Sequence, residues 1–164
     1  MSRKLLITFC YVVLMTLGSI CAKADTVTFS FSFTGPMDSG SGLFTTSTTA
    51  TPGEFLVTAV SGTTDGLNII GLLPPATFFG NDNLVFFPGT PFDASGVAYE
   101  LSDGSAINLF NFQGLNLLIG GPHQQFFEEL TSLQVAPVPE PGSLALLGTG
   151  ALGLIGAVRR RLSA

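Results

Sequence analysis

Lysine and arginine are missing from the whole interval between residues 24 and 158. All six basic side chains sit at the two ends, Arg3, Lys4 and Lys23 at one and Arg159, Arg160 and Arg161 at the other. Eleven acids lie between them, from Asp25 to Glu140. Such an interval cannot form ordinary intramolecular salt bridges, and it repels nucleic acid and anionic membrane surfaces. Tryptophan is absent, and the second of the two tyrosines, Tyr99, is the only one beyond residue 11. Flat aromatics with a polar handle, the kind that stack well on sugars, are therefore scarce. Both cysteines, Cys10 and Cys21, fall in the first stretch of the chain, so the rest has no disulfide and no thiolate metal site. His123 is the single histidine. It leaves a zinc site at most one nitrogen ligand, and no G-x-S-x-G elbow accompanies it for a serine triad. No phosphate loop or dinucleotide motif occurs, since "GTGALG" has no strand before it and lies in an apolar run.

The first basic cluster has an explanation. "MSRKLLITFCYVVLMTLGSICAKAD" opens with positive Arg3 and Lys4, continues in an apolar stretch from Leu5 to about Ile20, and ends in Ala22-Lys23-Ala24. Small residues at Ala22 and Ala24 are what a signal peptidase reads, so residues 1–24 are expected to be a signal peptide. Cleavage falls before Asp25, after export by the Sec machinery. A lipoprotein signal would need a small residue before Cys21, and Ile20 stands there.

Residues 25–136 are expected to form the exported domain. "TVTFSFSFT" alternates Val27, Phe29, Phe31 and Phe33 with Thr and Ser, which reads as a strand with one buried face. Further short runs follow: "GLFTT", "EFLVTAVS", "LNIIGLL", "NLVFF", "VAYELS", "INLFNF" and "FFEELTSLQV". The breaks between them carry Gly, Pro, Asn and Asp. Short strands with frequent turn signals predict an all-β fold, an antiparallel β-sandwich or jelly-roll-like body. The one stretch with a hint of helix is "HQQFFEELTSL", residues 123–133. The phenylalanine stripe is assigned to the core, because such a face must be buried.

Paired carboxylates could hydrolyse glycosides, but among so many acids some pair is always at hand. Glu128 and Glu129 would face opposite sides of a strand and are expected to be solvated. Oxygen ligands for calcium sit on turns at Asn81, Asp82, Asn83, Asp65 and Asp103. Asp, Asn and Gly are also ordinary turn formers, and no EF-hand or nonapeptide spacing is present. No catalytic residue, metal site or cofactor is expected, and any divalent-ion effect should be weak and non-specific.

The second basic cluster belongs to the tail. Pro139-Glu140-Pro141 is followed by seventeen residues without a charge, 142–158, and then by Arg159, Arg160 and Arg161. As a helix the uncharged run spans about 25 Å, just short of a hydrocarbon core. Ala145, Thr149, Gly153 and Ala157 would line one small-residue face of it. The arginines would stay cytoplasmic, which leaves the exported domain outside the inner membrane. The order of motif, apolar helix and basic cluster resembles the PEP-CTERM sorting signal, over about residues 137–162. The resemblance implies recognition by an exosortase, a membrane-embedded processing enzyme of Gram-negative bacteria that make exopolysaccharide. It also implies that Pro139, Glu140 and Pro141 form the recognition motif, and that the protein is released or attached at the outer surface. The stretch "GLLPPATFFGNDNLVFFPG" is also similar to a segment that recurs in uncharacterised proteins with such tails.

The chain thus reads as an exported, non-enzymatic surface or extracellular-matrix protein. Exosortase, signal peptidase and the Sec machinery are its processing partners, the inner membrane is a transient one, exopolysaccharide is a candidate one, and nucleic acid is excluded. The rival readings are a secreted polysaccharide-acting hydrolase and a glycan- or calcium-binding module. A cleft with convergent carboxylates would favour the hydrolase, and an exposed aromatic patch would favour the binding module.

Overall fold

In the computed structural model, residues 26–123, 126–139 and 149 are described. The residues about the expected signal cleavage, Ala22, Ala24 and Asp25, the motif residues Glu140 and Pro141, and Arg159, Arg160 and Arg161 lie outside them, as does the expected helix 142–158 apart from Thr149. Among the described residues no helix is long and apolar enough to cross a membrane.

Ten antiparallel strands account for most of residues 26–137: β1 (Thr26–Thr34), β2 (Ser39–Thr48), β3 (Glu54–Thr64), β4 (Leu67–Leu72), β5 (Leu84–Phe86), β6 (Val97–Leu101), β7 (Ala106–Phe112), β8 (Leu115–Gly120), β9 (Phe127–Glu129) and β10 (Ser132–Pro137). The all-β, antiparallel expectation is borne out. Two of the hairpins follow from local chemistry. Asp65 and Gly66 have φ of 50° and 79° between paired Thr64 and Leu67, and Gln113 and Gly114 have φ of 53° and 87° between Phe112 and Leu115. Two successive left-handed residues give the tight turn whose twist matches that of the strands.

The strands are not divided into the two separate sheets of a sandwich. They form one hydrogen-bonded path, β10-β1-β2-β3-β4-β6-β7-β8-β9, with β5 pairing β3 off it. The path is a meander in chain order, except that β10 returns to lie beside β1, so the Greek-key crossings of a jelly roll are not what connects it. The sheet curls so that its halves face each other. The Phe31 ring on β1 lies 6.3 Å from Tyr99 on β6, four places away in the sheet order.

The alternation in β1 places the core as the sequence predicts: Phe29, Phe31 and Phe33 are buried, with the half-buried Ser30 and Ser32 between them on the outer side. Their neighbours in β2 are matched in size. Phe29 pairs with Phe44, but Phe31 pairs with Gly42 and Phe33 with Gly40. A Cβ on Gly40 would meet the Phe33 ring at 2.6 Å, and one on Gly42 would meet the Phe31 ring at 2.8 Å. The glycines of "SGSG" thus provide the floor on which two phenylalanine rings lie. Val97, Tyr99, Leu101, Ile107, Leu109 and Leu118 complete the core from the other half.

Three local expectations change. "LNLLIG" is a strand, β8, that the sequence reading did not single out. The hint of helix at residues 123–133 is replaced by β9 and β10, since Glu128 is drawn into the sheet beside Leu118. Glu128 is buried and Glu129 exposed, so the pair faces opposite sides as expected but only one member is solvated. The "GNDN" loop is a brace. Asn81 Oδ1 accepts from the amides of Thr77 and Phe78, and Asn83 Oδ1 accepts from Asn81 Nδ2 and the Ala98 amide. Those amide oxygens are committed to the fold, not offered to an ion.

Candidate functional site

Three turns and one strand meet at one end of the sheet. The β1–β2 turn carries Asp38 and is closed by a bond from the Gly35 amide to the Asp38 carbonyl of 2.8 Å. The β3–β4 hairpin carries Asp65, at the same end because both turns follow odd-numbered strands of a meander. Its carboxylate accepts from the Ser39 amide at 2.9 Å, which ties the two turns together. His123 follows Gly120-Gly121-Pro122 after β8, and Glu128 sits in the middle of β9. Glu128 Oε1 accepts from the Met37 amide at 2.7 Å. This contact holds β9, at one end of the sheet path, against the turn beside β1.

His123 Nδ1 stands 3.1 Å from Asp38 Oδ1 and 3.8 Å from Asp65 Oδ2. The Asp38 side chain is 0% exposed, whereas half of the imidazole faces solvent. The other Asp38 oxygen, Oδ2, and Asp65 Oδ2 are buried and have no hydrogen-bond partner. Two carboxylates cannot bond to each other without a shared proton, because both are acceptors. Burial accordingly pushes the Asp38 carboxyl up to about 7, neighbouring Asp65 and Glu128 add to this, and His123 opposes it. Nearby, burial raises the Tyr99 phenol as well. Its hydroxyl shares a 3.2 Å bond with Thr64.

Asp38, Asp65 and His123 each offer one ligand atom, all within 4.8 Å of one another. Sequence reasoning singled out Asp65 and His123 separately but not together, and it passed over Asp38 and treated Glu128 as solvated. The other turn acids remain apart from this group. Asp103 caps Ser105, which lowers its carboxyl, and Asp82 caps Leu84 while burial raises it.

A second feature lies elsewhere. Phe79, Ala94, Asn108, Phe110 and Phe127 line a cavity of about 180 Å³ with no titratable side chain in its wall. Phe79 and Phe127 are 59% and 61% exposed, and their rings meet edge to face at 6.3 Å. Asn108 Nδ2 donates to Ser95 O at 2.8 Å, while its Oδ1 is buried with no hydrogen-bond partner.

The sorting residues come last in the chain. β10 runs to Pro137, which pairs with Phe29, and the Val138 amide donates to Thr28 O at 2.7 Å. The strand therefore extends past the expected end at about Val135. Pro139 follows it and is exposed. Residues 137–161 match the family described as the PEP-CTERM protein-sorting motif. The chain carries a PEP-CTERM sorting motif. Such a motif implies processing by exosortase. No curated protein and no solved structure matches the chain.

Proposed function

We propose that this is an exported, non-enzymatic protein whose β-rich body is delivered by exosortase to the cell surface or extracellular matrix. The observation that carries the reading is the sorting motif, placed directly after the last strand. The sheet ends where the match begins, so the motif leaves the body on an exposed chain that prolines keep out of helix. Glu140 then gives a processing enzyme a polar group to read. The non-enzymatic part is supported by the aromatic cavity, which has no acid or base in its wall.

The test is made in the native host. With Pro139, Glu140 and Pro141 all changed to Ala, unprocessed precursor is expected to accumulate in the inner-membrane fraction. Deleting Arg159–Arg161 should perturb its orientation. A triple-Ala protein that reaches the surface at its normal size would show that the tail is only an anchor.

A second reading, glycan binding, draws support from the aromatic cavity. Phenylalanine lacks a polar handle, but the exposed Phe79 and Phe127 rings beside the cavity can stack on the C–H face of a sugar. Phe127→Ala and Phe79→Ala should each lower retention on the host's exopolysaccharide about 2- to 10-fold, the range for loss of one aromatic contact. Far-UV circular dichroism should be unchanged. Equal retention of both variants and the parent rules this reading out.

A further inference from the structure

We propose that Asp38, Asp65 and His123 form a site for one first-row divalent transition-metal ion, of the Zn²⁺ or Mn²⁺ class. The inference concerns the folded body and does not depend on how the tail is processed.

The first support is geometry. Metal–ligand bonds to imidazole nitrogen and carboxylate oxygen are about 2.0–2.2 Å long. With both donors about 2.1 Å from a shared ion, the separations of 3.1 Å and 3.8 Å from His123 Nδ1 correspond to angles of about 95° and 130° at the ion. Both fall in the range that tetrahedral and distorted five- or six-coordinate sites use. The approach of the loop is built in. Gly121 has φ of 83°, a left-handed conformation that favours glycine and turns the loop toward Asp38.

The second support is independent of the cluster's spacing. Asp38 is fully buried, yet its Oδ2 has no donor, and the same holds for the buried Asp65 Oδ2. A buried carboxylate is ordinarily paired with a cation or bound to a metal. Among the described residues there is no lysine and no arginine, so His123 is the one basic side chain there that can balance Asp38 and Asp65. A divalent ion held beside His123 Nδ1 supplies the missing charge to both carboxylates and gives Asp65 Oδ2 the partner it lacks.

The donor set decides the class of ion. Calcium and magnesium favour all-oxygen cages, whereas an imidazole nitrogen with carboxylates suits zinc, manganese and their neighbours. The half-exposed imidazole leaves a route for the ion and room for water on its outer side. The ion would join the β1–β2 turn, the β3–β4 hairpin and the segment after β8. It would thus clasp the curled sheet where its two halves meet.

The experiment uses the untagged full chain in detergent, stripped with EDTA and then freed of chelator. Zn²⁺, Mn²⁺, Ca²⁺ and Mg²⁺ are titrated singly by calorimetry. One Zn²⁺ or Mn²⁺ is expected per chain, with a Kd of about 10 μM or tighter. His123→Ala and Asp38→Asn should each weaken it more than about tenfold, since even partners one step removed from a metal matter that much. The exposed control Glu129→Gln should leave it unchanged. His123 is half exposed and Asp38→Asn keeps the side chain's shape, and circular dichroism checks that each variant is folded. Absence of saturable binding at one ion per chain overturns the site. Binding that survives both substitutions overturns it too, by placing the ion elsewhere on the acidic surface. Calcium binding tighter than both zinc and manganese overturns the class of ion.

Discussion

Phe31→Ala is expected to cost about 3–5 kcal/mol of folding stability. The ring is 3% exposed and stacks on Phe44 with centroids 4.3 Å apart. It reaches across the core to within 6.3 Å of Tyr99. Removing it takes a contact from both halves of the curled sheet at once. The hole could close only if the halves moved together, and the continuous strand pairing resists that. Against a total of about 5–15 kcal/mol for a domain of this kind, the loss is a large share. Urea unfolding measures it directly. Tyr99 fluorescence is a convenient probe, because no tryptophan masks it. A loss below about 0.5 kcal/mol would mean that the ring is not buried in the protein as it folds in solution.

Gly42→Val is expected to be as severe, by the opposite fault. A Cβ at this position would collide with the Ser61 carbonyl on β3 and would stand 2.8 Å from the Phe31 ring. Valine's two methyl groups would enlarge the overlap. The carbonyl is backbone in a ladder and cannot turn away, so the strands must separate or Phe31 must leave the core. Overpacking of this sort typically costs about 1–3 kcal/mol, and more where backbone must yield. At least about 3 kcal/mol is expected here, read from the same urea curves. The two faults share a space, so the double variant should lose less than the sum of the singles. Strict additivity would mean that Phe31 does not lie over Gly42.

How much of this the sequence carries differs from one element to the next. β1 is written in full as the alternation of Phe29, Phe31 and Phe33, because a period of two over nine residues has one physical solution when one face must be buried. β8 is hidden. "LNLLIG" lacks clean alternation, and only the pairing of Leu117 and Leu118 with Phe110 and Leu109 makes it a strand. The sequence reading began this strand run only at Gly42, and the role of Gly40 and Gly42 as a floor for Phe33 and Phe31 appears only once β2 is set against β1. Glu128 reads as solvated by composition, and it is the closing of β9 onto the Met37 amide that buries it.

By itself the sequence determined what depends on near neighbours and on composition: the strand class, the inward phenylalanine stripe, the Asp65-Gly66 turn, the body without basic residues, and the sorting motif at residues 137–161. The tertiary structure alone decided that ten strands make one curled path and that Asp38, Asp65 and His123 meet. Asp38 and His123 are 85 positions apart, and no local pattern links them. A residue's period fixes which face it takes, but which distant turns touch depends on how far the whole sheet curls before its halves meet, and that is set by the volume of the core between them.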